Sequence, residues 1–407
     1  MRKKYTFLSL IILVLCIQGF AASFKETAKY LDTDGSVIGY IDFEGDGTEI
    51  ATQLQTLYTE LGTVMPQAAL LPLNFERFIN HLGLAAIESF GYSSKEISNG
   101  KFLNRTAVLL SQPPTGLLKF YSLEGAKPAP FSLAKQAPAD VDGILSGPFN
   151  WIAVVNAVET MAVEVMGPLG QMIVQGQLAQ PLLGSEVTLL EIITSLSAHW
   201  DGYYKIDLAT VNNPDFDFWV RVKGAGYLLK KMQPHIQTIA NEVSEVEGNL
   251  RVNFSNLMSP YANTLFLETT TEGDLLAYTD RSWAMSKKAP RLSDLPEFKD
   301  LMQSLPKQGL WHTYNSGMNL QDSLQSAFST GDLPEMYSVL FDKALENFFA
   351  DLDKPYASVG YYNKGNLISH QIGSFSPKQL MGIIPLSIAF GAAYASLEDQ
   401  VNFDPIE

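Results

Sequence analysis

The chain has 407 residues, 46% of them hydrophobic, and sets 43 acidic against 28 basic side chains for a net charge of −15. With no basic cluster to offset it, that surface repels phosphate backbones and anionic membranes, so nucleic acid is not an expected partner. The single cysteine, Cys16, lies in the first 21 residues, which leaves the rest of the chain without a thiol for disulfides, cysteine zinc sites or nucleophilic catalysis.

Residues 1–21 begin with Arg2, Lys3 and Lys4, continue as an apolar run and close on Gly19-Phe20-Ala21. That is the pattern of a secretory signal peptide, so the expected location is exported, periplasmic or extracellular, in a bacterium. Leu15 stands before Cys16 where a lipoprotein signal requires a small residue, which argues against a lipid anchor there. Removing the segment takes away three bases and no acid, leaving 25 bases against 43 acids.

The stretch YIDFEGDGTEI at 40–50 places Asp42, Glu44 and Asp46 on alternate positions before Gly47, like the first half of an EF-hand loop. These three acids are the candidate metal ligands. Two features argue for a joint between a strand and a helix instead. The twelfth loop position is Gln53, a neutral residue where a bidentate carboxylate is needed, and the preceding residues alternate as a strand. Asp46 and Glu49 then fit a capping box, and no metal or other cofactor is expected. The helix that follows is expected to bury Ile50, Leu54, Leu57, Tyr58 and Leu61.

Further along, TAVLLSQPPTGLLKFYS (106–122) reads as a hairpin, and PAPFSLAKQAP (128–138) as a short helix. DGILSGPFNWIAVV (142–155) reads as strand, turn and helix. Trp151, Val154, Val155, Val158, Ala162 and Val165 mark one helical face, broken at MGPLG, and Met161, Met166 and Met172 are read as core packing rather than as a pocket for a greasy ligand. A second apolar stretch runs through VTLLEIITSLSAHW (187–200).

WVRVKGAG at 219–226 matches YIDFEGDG at 40–47 position by position, with both glycines kept while Asp42, Glu44 and Asp46 become Arg221, Lys223 and Ala225. Its helix should bury Leu228, Leu229, Met232, Ile236 and Ile239. Hairpins follow at 264–280 and 357–371, with Gly273 and Gly365 in or beside the turns, and LPEFKDLMQSLP (295–306) parallels the helix at 128–138. Residues 380–397 carry no charge over 18 positions, but Lys378 precedes them and only acids follow, the reverse of a stop-transfer polarity. They are read as a packed helix, with membrane association through them not favoured.

These landmarks predict an α+β fold of two duplicated halves, each of antiparallel strands and hairpins with helices packed on one face. The divisions are a signal peptide at 1–21, a first half at 22–212, a second at 213–376, and an apolar helix with an acidic tail at 377–407.

Chemistry is sparse. His81, His199, His235, His312 and His370 are scattered without metalloenzyme spacing, and there is no nucleophile elbow, phosphate loop or dinucleotide fingerprint. No catalytic residue is named from the sequence. The signal segment, the twofold strand-Gly-helix unit and LSDLPEFKDLMQSLP together resemble a group of uncharacterised exported bacterial proteins, a domain-of-unknown-function family of planctomycete and verrucomicrobial type. The resemblance implies export and duplication and brings no activity with it. The expectation is a non-enzymatic envelope protein that binds a macromolecular partner or an apolar ligand. The alternatives are a periplasmic hydrolase acting through carboxylates and a carrier of lipid-like molecules, the last requiring an apolar cavity between sheet and helices.

Overall fold

The computed structural model describes residues 22–65, 73–98, 100–182, 184–207, 215–238, 240–246, 249–259, 262–286, 289–317 and 354–378. Among them, thirteen strands form one sheet in which every pairing is antiparallel. In chain order they are β1 (Val37–Asp42), β2 (Ile87–Ser98), β3 (Lys101–Leu110), β4 (Gly143–Pro148), β5 (His199–Asp207), β6 (Asp215–Val222) and β7 (Glu242–Val246). β8 (Asn249–Ser259), β9 (Ala262–Thr269), β10 (Leu275–Tyr278), β11 (Trp311–Asn315), β12 (Tyr356–Asn363) and β13 (Asn366–Gly373) complete the set. Their order across the sheet is β1-β2-β3-β13-β12-β11-β4-β5-β6-β10-β9-β8-β7. The α+β class expected from the sequence is therefore the observed one.

Two of the expected hairpins form. β12 and β13 join through Lys364 and Gly365, at φ +51° and +90°, the consecutive left-handed pair that matches strand twist in a tight turn. β9 and β10 pair beside Gly273, at φ +86°. The third, at 106–122, does not form: β3 ends at Leu110 and Gly116–Tyr121 coils into a 3-10 turn. The N–H groups that a returning strand would donate are used within the coil instead, Leu118 N–H bonding the Thr115 carbonyl at 3.1 Å and Ser122 N–H the Lys119 carbonyl at 2.9 Å.

Helices α1 (Ala22–Thr27), α2 (Asp46–Val64), α3 (Phe75–Leu82), α4 (Trp151–Met166), α5 (Pro168–Leu178), α6 (Leu189–Leu196), α7 (Gly226–Ile236), α8 (Arg281–Ala284) and α9 (Pro296–Gln303) connect the strands. The strand-Gly-helix unit recurs locally: Gly45 (φ +82°) ends the turn after β1 and Gly224 (φ +73°) the one after β6. The surroundings differ, since β1 lies at the sheet edge against β2 alone while β6 lies between β5 and β10. β11, β12 and β13 also sit between β3 and β4, so the two sequence halves interleave in a single sheet.

Alternation along the strands divides the core in two. On one face Ile144, Tyr203, Trp219, Tyr278, Tyr314 and Val359 pack under Leu133, Leu292, Phe298 and Leu301, from the loop before β4, the 3-10 turn at Leu292–Asp294 and α9. Tyr278 and Leu292 are fully buried, each such side chain contributing about 1.5–3 kcal/mol. On the other face Val222, Val187 and Leu228 form one cluster and Leu229, Ile236, Val252 and Phe254 another, so α7 packs as its sequence pattern predicts, and helices cover both faces of the sheet where the sequence leads us to expect one. Ile239 of that pattern lies outside the described residues, as do residues 380–397. Among the described residues no helix is long and apolar enough to cross a membrane.

α2 departs from expectation. Its protected stripe is Gly47, Ala51, Gln55, Tyr58 and Gly62, with Ala51 alone fully buried, whereas Ile50, Leu54, Leu57 and Leu61 are exposed, Leu57 by 61%. At 100° per residue the exposed stripe lies roughly 100° around the helix from the protected one. Small residues win because they permit close approach: the position a Cβ would take on Gly47 is 3.5 Å from Ala85 Cα, and Tyr58 meets Phe75 of α3 edge to face at 5.7 Å. The capping box is also absent. Gly45 is the N-cap, with no side chain capping it, and Asp46 is the first helical residue, one place too far along. α4 and α5 approach through Gly170, whose Cβ would collide with the Ala162 carbonyl. That contact leaves Met166 and Met172 on the surface rather than in the core.

Candidate functional site

Register carries a row of polar side chains across the face of the sheet that packs under α9. Reading across the strands, Ser93 stands opposite Arg105, Arg105 opposite His370, His370 opposite Val359, and Val359 opposite His312. The row continues through Ser146, Asp201 and Arg221 to Leu276, Glu268 and Arg251. Residues directly opposite in antiparallel strands share a face, so strand order alone assembles this row.

At its centre Asp201 is buried and fully engaged. Ser146 Oγ donates to Asp201 Oδ1 at 2.6 Å, His199 Nε2 lies 3.2 Å from the same oxygen, and Arg221 donates to Oδ2 through Nε at 3.1 Å and through Nη2. Burial alone would raise this carboxyl's pKa. The hydrogen bonds from His199, Ser146 and Arg221 outweigh it and hold Asp201 well below the usual carboxylate range. His312, opposite Ser146, is buried and stacks on Phe131 with ring centroids 4.9 Å apart. Burial, together with the nearby His199, pushes it down to about 4, with Asp201 opposing. Its Nε2 has no hydrogen-bond partner among the described residues.

Ser, His and Asp meet here without forming a nucleophilic relay. A relay needs the imidazole to bridge acid and hydroxyl through its two nitrogens, but His199 Nε2 faces both Asp201 Oδ1 and, at 3.3 Å, Ser146 Oγ. The Ser146 proton is already given to the carboxylate, which leaves nothing to activate the oxygen. The arrangement fixes a charge inside the sheet. A second such cluster gathers on buried Glu268, which accepts from Tyr278 Oη at 2.7 Å and pairs with Arg251 at 3.3 Å and Arg281 at 3.7 Å.

The acids of the EF-hand-like stretch are not brought together. Asp42 ends β1 and accepts the Glu44 N–H at 3.0 Å, Glu44 lies in the turn, and Asp46 opens α2. Among the described residues no three His, Cys, Asp or Glu side chains converge as a metal site would require. Sequence reading named His199 and His312 only among scattered histidines without metalloenzyme spacing, and passed over Ser146 and Asp201. His199 and Asp201 could have been paired, because positions i and i+2 of a strand share a face. The approach of His312 follows only from β11 lying beside β4.

The opposite face of the sheet holds a cavity of about 280 Å³ between the strands and the 3-10 turn at Gly116–Tyr121. Thr106, Ser369, Gly360 and Trp311 line it in one register row, with Val108, Leu367, Ser358 and Tyr121 around them. Its wall belongs to an aromatic cluster in which Trp311 meets Tyr121 and Tyr362 edge to face, at 5.5 and 5.4 Å.

Comparison of the chain with protein-family models, with curated proteins and with solved structures finds no match.

Proposed function

We propose that this is an exported envelope protein that acts by binding, its α+β sheet a scaffold presenting the apolar stripe of α2 to a protein partner. The observation that carries this reading is the exposure of Ile50, Leu54, Leu57 and Leu61 on one side of a 19-residue helix. A stripe with this i, i+4, i+7, i+11 spacing is the kind of surface that docks another helix. The charge along this segment selects the partner. No Lys or Arg occurs from residue 30 to residue 76, while Asp46, Glu49 and Glu60 lie on α2 itself. The complementary surface is an amphipathic helix whose apolar face is bordered by Lys or Arg. A second copy would set acid against acid, and an anionic membrane would be repelled. The basic and apolar leader at 1–21 supports export. Carboxylate catalysis is disfavoured because every described carboxylate with a displaced pKa, namely Glu26, Asp34, Asp140 and Asp201, is displaced downward, whereas a general acid must be held up.

Fluorescence anisotropy with a labelled Leu/Lys amphipathic peptide and its Leu/Glu counterpart tests this. The Lys peptide should bind, the Glu peptide should not, and Leu57→Asp with Leu61→Asp should abolish binding without lowering Tm. Equal binding of both peptides, binding retained in the double variant, or self-association through α2 by sedimentation would refute it.

A further inference from the structure

We infer that the cavity on the sheet face opposite α9 is a binding site for a neutral, lipid-like molecule of roughly ten carbons carrying one hydroxyl or carbonyl. It lies apart from the α2 stripe and does not depend on the partner-binding reading.

The wall is built to stay open. Trp311 lies between Gly360 on β12 and Gly147 on β4, and a Cβ on either glycine would fall 2.7 Å from Trp311 Cε3 or 2.6 Å from Cδ1, closer than real Cβ contacts allow. Absence of side chains on both flanks therefore lets the indole settle against the strands. Its Nε1 donates to the Pro148 carbonyl at 3.4 Å, and Tyr121 and Tyr362 hold its edges. Tyr362 in turn donates to the Leu118 carbonyl at 3.3 Å, which ties the 3-10 turn to the sheet above the cavity. Trp311 is buried while Tyr121 is exposed, so the site opens past Tyr121.

Size and lining define the ligand. A cavity of about 150 Å³ accepts benzene, so about 280 Å³ takes a molecule roughly twice as large. None of the described residues that line it is charged. A carboxylate or phosphate head would enter without a cation to meet it, in a protein of net charge −15, so the ligand is neutral. The polar contribution comes from hydroxyls. Ser358 Oγ is engaged with Thr313 Oγ1 at 2.5 Å, while Thr106 and Ser369 stand opposite each other in the floor. A single hydroxyl or carbonyl on the ligand can reach that pair while its carbon chain lies along Val108, Leu367 and the Trp311 ring.

Isothermal titration of the full chain without its first 21 residues, using 1-decanol and decanoate as probes at pH 7.5, tests the assignment. Saturable one-site binding of decanol is expected, with decanoate weaker by at least about tenfold. Ser369→Ile, which fills the floor, should weaken decanol by at least about tenfold at unchanged Tm. Should that variant fold poorly, Val108→Phe fills the same space from β3. Absence of decanol binding up to its solubility limit, equal or tighter binding of decanoate, or full decanol affinity in a folded floor-filling variant would overturn it.

Discussion

Replacing His312 with Phe should remove much of the protein's sensitivity to mild acid. The imidazole is buried against Phe131 and held neutral, titrating at about 4 instead of its ordinary value near 6.5. Between those values the unfolded chain binds a proton that the folded chain refuses, so stability rises with pH across that window and falls as the solution is acidified through it. The displacement corresponds to about 3 kcal/mol, present in full above pH 6.5 and lost by pH 4. His370, pushed down to about 4 by burial and by Arg105, adds a slope of the same sign. Asp201 enters only lower, because a carboxylate held below its unfolded value loses its contribution as pH falls past about 4. Phe keeps the stack on Phe131 and eliminates both the titration and an Nε2 that has no partner among the described residues, a group whose burial costs about 1–3 kcal/mol. Urea unfolding followed by tryptophan fluorescence at pH 7 and pH 4.5 measures the difference. The loss of stability on acidification should be smaller in the variant by about 2–3 kcal/mol. An equal loss in both proteins, or a His312 ring that titrates near 6.5 by NMR, would refute the argument.

Other substitutions probe the rest of the structure. Asp201→Asn leaves Arg221 without its counter-charge and should cost about 3–5 kcal/mol in chemical unfolding, whereas Ser146→Ala should cost only about 1 kcal/mol. Gly360→Ala forces a Cβ against Trp311 and should destabilise by about 1–3 kcal/mol with a shift in tryptophan emission; an unchanged spectrum and Tm would mean that the indole is not held there. Leu57→Asp on exposed α2 should change stability by less than about 0.5 kcal/mol, while Leu229→Ala in buried α7 should cost about 2–5 kcal/mol. Similar costs at the two sites would show that α2 buries its apolar stripe after all.

The paired strand-Gly-helix units show where local reading succeeds and where it stops. Gly45 and Gly224 were legible as turn glycines because a positive φ is a local demand, and the β12–β13 turn at Lys364-Gly365 follows from the same rule. The helices themselves were legible from period, but which stripe faces inward was not. α7 buries Leu228 and Leu229, whereas α2 turns Gly47, Ala51 and Gly62 toward its neighbours and leaves its leucines outside. Apolar periodicity registers greasy side chains, and a contact made through small residues carries no such signal. The 106–122 hairpin also escaped local reading: strand propensity in its second half was outweighed by a 3-10 coil whose N–H groups bond within the turn rather than to β3.

By itself, then, the sequence determined the α+β class, the hairpin turns at Gly273 and Gly365, and which side chains alternate along each strand, since each depends on backbone geometry within a few residues. The sheet's neighbours were decided only in three dimensions. His312 meets Ser146 and Asp201 because β11 inserts beside β4, and Trp311 finds its two glycines on strands that begin at residues 143 and 356. Pairings over such separations are set by how the whole chain closes its core, and no short stretch of it encodes them.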